Sequence, residues 1–368
     1  MGLVRLSPEF PIALPKDPVN NFVEYKGPDV MTNNVNRKVV LAARPDGNPK
    51  PSDFRLETEA VPVPGKDQLL LRTRYLSLDP YYRSLMGNAN GTSNPLDIGA
   101  TMIGSTVSEV VESDNPAFVK GDIVCGFAGW QDYSLSDGSE LQKLDPESAP
   151  VSTALGVLGF TGMTAYVGLT TIGVPKPGET VVVSAATGAV GSIAVQIAKL
   201  KGARVVGIAG GKEKTDYLVN ELGADAAVDH RAPDFADQLK KAVPNGIDVD
   251  FESVGGKVFE AVFPLLNHHA RVIVCGVVSQ YNSNEPASGP NLLPSLLEVA
   301  LWKRMQIRGF GVDEHSDQFE NFQRDVGGWV KEGEIKYRED VVQGLENAAE
   351  AFPRLFTGGN FGRLIVKF

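Results

Sequence analysis

The rhythm of apolar positions changes along the chain. Up to about Pro150 they come in short runs, such as Lys38 to Ala42, Gln68 to Leu76 and Thr106 to Val111, each bounded by turn residues. Runs of this kind predict strands, here of a mainly antiparallel β domain. From Val181 the pattern alternates. Val181-Val182-Val183 is a continuous β-branched run, as expected of a parallel strand covered on both faces. Val190, Ile193, Ala194, Ile197 and Ala198 then recur at three- and four-residue steps, which makes one apolar face of a helix. Gly202 stands where such a helix would end in the left-handed conformation. Further strands are predicted at Val205 to Ala209, Ala226 to Val228, Ile247 to Phe251 and Arg271 to Val278. Between them lie helices carrying Leu218 and Leu222 (stopped by Gly223), then Phe235, Leu239 and Val243, then Lys257 to Leu266. About five alternations of strand and helix predict a doubly wound α/β domain with a parallel sheet. The last stretch, from about Phe319, reads as a helix and then a strand at Gly362 to Lys367. The division expected is a β domain over 1–153, completed by 323–368, and a Rossmann domain over 154–322. There is no internal repeat and no low-complexity segment.

Length agrees with two domains, since 368 residues is about twice the ~150 that one domain usually takes. The 45 acidic and 35 basic side chains leave a net charge of -10. Without a basic cluster, such a surface repels phosphate backbones and anionic lipid, so no nucleic-acid partner is expected. No apolar run approaches the ~20 residues that cross a bilayer, and the prolines of the first sixteen residues leave no signal-peptide core. Gly2 follows Met1, but Leu6 stands where myristoylation needs Ser or Thr. The glycosylation triplet Asn90-Gly91-Thr92 is read as chance. Two cysteines, Cys125 and Cys275, are too few for a disulfide scaffold, which makes a reducing cytoplasm the expected setting.

The chemistry starts after the first Rossmann strand, at Ala185-Ala186-Thr187-Gly188-Ala189-Val190-Gly191-Ser192. This is the dinucleotide fingerprint G-x-G-x-x-G with Ala186 in the first glycine's place. Gly188 would let backbone approach a pyrophosphate, and Gly191 would let helix and strand pack closely. The helix start, with Ala189 and Val190, would supply free N–H groups to the phosphates. An NAD site places Asp or Glu roughly 20 residues onward to hold the ribose 2′-hydroxyl. Here that place reads Gly210-Gly211-Lys212-Glu213-Lys214. Lysine there would attract a 2′-phosphate, which favours NADPH/NADP+.

Metal and nucleophile chemistry find little support. The histidines are His230, His268, His269 and His315, all outside the first domain, and there is no H-E-x-x-H, no paired C-x-x-C and no G-x-S-x-G. No metal is expected.

The motifs together resemble the zinc-independent branch of the medium-chain dehydrogenase/reductase superfamily, near the prostaglandin reductases, alkenal double-bond reductases and curcumin reductase. The resemblance covers nearly all of the chain after about Asn36. It is carried by Asn36 to Ala42, Tyr75 to Arg83, Gly162-Met163-Thr164-Ala165-Tyr166, the phosphate loop, Val254-Gly255-Gly256, Cys275-Gly276 and Gly359-Asn360-Phe361-Gly362. It implies a GroES-like β domain beside the Rossmann domain, a cofactor in the cleft between them, and a homodimer. It implies an oxidoreductase in which NADPH gives a hydride to the β-carbon of an enone or alkenal, with the enolate oxygen hydrogen-bonded.

By position, the resemblance makes Lys214 the 2′-phosphate lysine, Thr164 and Phe310 nicotinamide-side contacts, and Asn360 a cofactor contact from the tail. Cys275 and Ser279 would line the cofactor, Tyr281 would hold the enone oxygen, and Tyr81 would face the substrate. Two departures stand out: Ser105 replaces a tyrosine of many relatives, and His230 replaces a ribose-side tyrosine of animal relatives. A charged His230 would make cofactor affinity pH-sensitive. Quinone or carbonyl reduction, and cofactor binding without turnover, are the competing functions.

Overall fold

The computed structural model describes residues 35–87, 95–283 and 293–368. Gly2, Leu6 and the Asn90 triplet lie outside the described residues. Two main sheets are built from the two rhythms. The first has seven strands. Its path runs Glu339–Gln343, Arg363–Lys367, Leu69–Ser77, Thr106–Ser113, Ile123–Gly126 and Gln142–Leu144, and Tyr133–Ser136 also pairs with Leu69–Ser77. All of these pairings are antiparallel except that of Glu339–Gln343 with Arg363–Lys367. A separate hairpin joins Val35–Leu41 to Phe54–Ala60. Its inward side chains meet a core in which Phe54 stacks on Trp130 at 5.6 Å and Phe352 closes edge-on at 5.6 Å from Trp130.

The second sheet has six strands, all parallel, in the order Ala226–Asp229, Arg204–Ala209, Thr180–Val183, Ile247–Glu252, Leu266–Val274, Gln306–Gly309. The order reverses between Thr180–Val183 and Ile247–Glu252, the switch point where ligands bind beyond the strand ends. Every residue of Thr180–Val183 is buried, because one apolar layer (Ala194, Ile197, Phe251, Phe322) and another (Val206, Leu239, Val258, Val272) cover opposite faces. That double cover is why the sequence shows an unbroken apolar run instead of an alternating one. Gly202 closes the helix Gly191–Leu200 at φ +79°, a conformation that glycine adopts without Cβ strain.

Three of the departures of the structure from the sequence reading lie around the parallel sheet and its edge. The strand expected through Val278 ends at Val274, because the N–H groups of Cys275 and Gly276 both turn to the Glu252 carbonyl. The helix expected over Lys257 to Leu266 is Gly256–Val262, tightening to a 3-10 turn at Phe263–Leu265, where Pro264 lacks an N–H. The sixth strand, Gln306–Gly309, was not foreseen. It is a sheet edge with all four residues exposed, so it carries no apolar run.

The tail ties the two sheets together. Helix Phe319–Lys331 packs Phe322 and Val326 into the parallel-sheet core, and Tyr166 donates its hydroxyl to Asp325 at 2.6 Å. Strand Arg363–Lys367 then lies in the first sheet, and its Arg363 forms a buried bidentate pair with Asp79 at 2.5 and 2.9 Å. Burial would raise the Asp79 carboxyl, but Arg363, with Ser77 and Tyr82, holds it below the ordinary carboxylate range. Removing one member strands the other in low dielectric, which costs about 3–5 kcal/mol. Asp79→Asn should lose that amount in denaturant unfolding, and a loss within about 0.5 kcal/mol, the surface-substitution range, would show that the pair contributes little.

Candidate active site at the carboxyl ends of the parallel strands

The phosphate turn leaves Thr180–Val183 and bends at Ala185, φ +46°, before the helix Gly191–Leu200 begins. A Cβ on Gly191 would stand 2.4 Å from the Ala185 carbonyl oxygen, so only glycine lets helix and turn close. Among the described residues no backbone carbonyl accepts from Val190 or Gly191, which leaves N–H groups for an anion at the helix start. Ala186 has another task. It is fully buried, and its N–H donates to the Ile208 carbonyl at 2.9 Å. Gly188 pairs with Gly362 of the tail, and the Gly362 N–H donates to the Thr187 carbonyl at 2.9 Å.

Three basic side chains gather where Arg204–Ala209 and Ala226–Asp229 end. Lys214 donates to the carbonyls of Asn360 at 2.6 Å and Gly358 at 2.9 Å. Arg231 donates to the Thr357 carbonyl at 3.2 Å. A Cβ on Gly210 would lie 2.7 Å from Arg231 Nε and 2.8 Å from His230 Nε2, so the glycine makes room for both. None of the three forms an ion pair among the described residues. Burial and the Arg231 charge both push the Lys214 ammonium and the His230 imidazole below their ordinary values. Asp229 lies beside His230 and Arg231, and Asp340 and Glu213 act on Lys214 from further off. No carboxylate among the described residues makes an ion pair with the three, and such crowded basic groups fit a dianionic phosphate. Lys212 is different: it faces solvent, paired with Asp216 at 2.6 Å.

On the other side of the switch point, Glu252 organises the strand ends. Its Oε1 accepts from Ser184 Oγ at 3.0 Å and from the N–H groups of Val254 and Gly255, the latter at 2.8 Å. The N–H of Ser279 donates to the Val254 carbonyl at 3.0 Å, and Ser279 Oγ lies 3.1 Å from where a Gly256 Cβ would be. Cys275 is pushed up to about 11 by burial, against a hydrogen bond with Ser253. Such a thiol is inert at neutral pH. Tyr281 is raised by burial, opposed by the Val277 N–H, so its phenol is a donor at neutral pH.

The residues singled out from sequence fall into separate groups. Gly188, Ala189, Val190 and Gly191 form the turn. Lys214, His230 and Asn360 meet beside it, and Cys275, Ser279 and Tyr281 lie together on the loop after Leu266–Val274. Thr164 is nearly buried, with its hydroxyl spent on the Phe160 carbonyl at 2.7 Å. Phe310 packs on the parallel-sheet core, edge-on to His315 at 6.3 Å. Tyr81 is 60% exposed and touches the ring of Tyr82. Arg231, Arg83, Asn282 and Glu252 were given no role from sequence. Arg231 could have been found by reading the end of the third strand for cations as the end of the second was read.

This arrangement defines a class: a two-domain, dinucleotide-binding oxidoreductase of the medium-chain type. The family described as "N-terminal domain of oxidoreductase" matches residues 37–144, and "Zinc-binding dehydrogenase" matches 189–323. The second description names zinc, but no metal-sized group of three His, Cys, Asp or Glu occurs among the described residues. NADPH-dependent curcumin reductase of Escherichia coli is 53% identical over 333 residues, 90% of this chain and 96% of that protein. The 2-alkenal reductase (NADP(+)-dependent) of Nicotiana tabacum is 39% identical over 337 residues, 90% of this chain and 97% of that one. The crystal structure of CurA in complex with NADPH from Vibrio vulnificus superposes with a TM-score of 0.88 at 48% identity, over 90% of this chain and 98% of that chain. The chain belongs to the zinc-independent alkenal/enone reductase family of medium-chain dehydrogenases/reductases.

The cation cluster makes affinity depend on pH. His230 is held neutral in the free protein by burial and by Arg231, and an arriving phosphate anion opposes both effects. Binding therefore takes up a proton at pH values between the lowered imidazole pKa of the free protein and its higher value in the complex, so affinity rises as pH falls. NADPH titrations should show tighter binding at pH 6 than at pH 8 in wild type and a flatter profile in His230→Ala. Matching profiles would remove His230 from the phosphate site.

Proposed function

We propose that this protein reduces the carbon–carbon double bond of α,β-unsaturated aldehydes and ketones, with NADPH as the hydride source. The observation that carries the reading is the unpaired cluster of Lys214, His230 and Arg231 beside the Gly188–Gly191 turn, in a chain 53% identical to an NADPH-dependent curcumin reductase. Bound NADPH would supply a hydride to the substrate β-carbon, and a proton reaching the α-carbon would complete the saturated carbonyl product and leave NADP+. The chain's own part is to hold the dinucleotide and stabilise the charge that develops on the substrate oxygen. Gly188 to Gly191 receive the diphosphate, and Lys214 and Arg231 receive the 2′-phosphate. Thr164 and Phe310 lie on the nicotinamide side, and Ser279 and Asn360 complete the cradle. Tyr281, kept protonated by burial, donates to the enone oxygen. Tyr81, with its ring exposed, forms a wall of the substrate cleft.

A hydride delivered to the β-carbon leaves the carbonyl in place, so the product keeps it. Chromatography of the product from a simple alkenal should show the saturated aldehyde, and an alcohol as sole product would reverse the assignment. Tyr281→Phe should lower kcat roughly a hundredfold, the loss typical of one oxyanion donor, with NADPH still bound. Unchanged turnover would take Tyr281 out of the mechanism.

The assembly proposed is a homodimer. Gln306–Gly309 pairs on only one side among the described residues. The helix before it, Leu293–Lys303, exposes Leu297 (63%), Leu301 (70%) and Trp302 (68%). A second copy meeting this edge would cover the apolar side chains and pair the free strand. Light scattering should give about twice the 39.4 kDa of one chain, reduced toward one chain by Leu301→Lys. A monomeric wild type would refute this assembly. The free, unpaired Cys125 and Cys275 fit a reducing cytoplasm.

A further inference from the structure

Arg83 is 1% exposed and makes no ion pair among the described residues. Burying a guanidinium with no carboxylate in contact, only the charge of Asp53 acting from further off, is unfavourable, so what it holds matters. Its Nη2 donates to the carbonyls of Gly47 at 3.1 Å and Pro45 at 3.4 Å, which fixes the side chain within the first domain. Its Nε donates to Asn282 Oδ1 at 3.1 Å, across the cleft. The other end of that amide, Nδ2, donates to Asn48 Oδ1 at 2.8 Å. The Asn282 side chain is thus gripped at both ends by the domain opposite its own. Asn282 follows Tyr281 directly, and Tyr281 sits at the end of the short turn Val278–Gln280, held through its N–H by a long 3.4 Å bond to Val278. Within its own domain the turn is held by the Gln280 N–H on the Val277 carbonyl at 2.8 Å, and the phenol is met by the Val277 N–H. The bonds of Asn282 to Arg83 and Asn48 add a hold from the opposite domain.

We propose that Arg83 is a positioning residue that acts through Asn282 to fix the Tyr281 loop against the first domain, so that the phenol meets the substrate oxygen only when the two domains are in register. The inference rests on the role given to Tyr281 above. Arg83 also follows Tyr81 by two positions, so one strut ties together both tyrosines assigned to the substrate cleft. It extends from Tyr81 through Arg83 and Asn282 to Tyr281.

Because Arg83→Ala risks unfolding a buried site, the test uses the partly exposed Asn282. Asn282→Ala should lower kcat with an alkenal about tenfold, since small misplacements of a donor are costly, while NADPH affinity, read by fluorescence titration, stays at the wild-type value. Asn282→Asp keeps an acceptor for Arg83 and should retain most of kcat. A structural role would not depend on the phenol, so the decisive arm repeats Asn282→Ala in a Tyr281→Phe background, where the further loss should stay within about twofold. If Asn282→Ala slows Tyr281→Phe as much as it slows wild type, the strut does not act through Tyr281 and the inference is overturned. If Tyr281→Phe by itself reacts like wild type, the role of Tyr281 fails first and the inference falls with it.

Discussion

The structure turns on positive charge held without its complement. Lys214, His230 and Arg231 gather past the ends of Arg204–Ala209 and Ala226–Asp229, and the acceptors of Lys214 and Arg231 are backbone carbonyls. Carbonyl dipoles orient the side chains but do not neutralise them, and burial with mutual repulsion keeps Lys214 and His230 less basic than in water. A phosphate dianion relieves all of these costs at once. The same site would gain far less from a ribose hydroxyl. Preference for one dinucleotide is therefore an electrostatic property of the free protein, present before any ligand binds.

The partners of those cations connect the site to the rest of the fold. Thr357, Gly358 and Asn360 belong to the chain segment that next bridges to the phosphate turn through Gly362 and then enters the first sheet as Arg363–Lys367. Arg363 in turn holds Asp79, three residues before Tyr82 and two before Tyr81. The segment that lies against Lys214 and Arg231 also sets the loop on which Tyr81 and Tyr82 stand. On the opposite flank, Arg83 and Asn282 make a second crossing. The cleft is thus closed by two polar seams that differ in kind, one of carbonyls against cations and one of amides against a guanidinium.

Much of this was legible in the chain. The parallel sheet declared itself because its strands are buried on both faces, so Val181-Val182-Val183 and Val205 to Ala209 carry no polar alternation. The turn at Gly188 to Gly191 was legible because the close approach of helix and strand leaves no room for a Cβ at Gly191. The edge strand Gln306–Gly309 escaped because an exposed edge leaves no hydrophobic trace. Ala186 matched the fingerprint by position, yet its N–H serves the sheet, since spacing cannot tell which amides of a turn point outward. Arg231 and Arg83 escaped in their pairings for another reason, although the position of Arg231 at a strand end was itself legible. Each works with residues more than a hundred positions away, Thr357 and Asn282, and no local pattern announces such a pairing.

The most direct test of the central claim is calorimetric titration of the purified protein with NADPH and, separately, with NADH, in wild type and in Lys214→Ala/Arg231→Ala. Charge-assisted hydrogen bonds at about 1.5–3 kcal/mol each predict that wild type binds NADPH at least tenfold more tightly and that the double variant loses this preference while still binding NADH. Equal affinity for the two dinucleotides in wild type would contradict the account at its base.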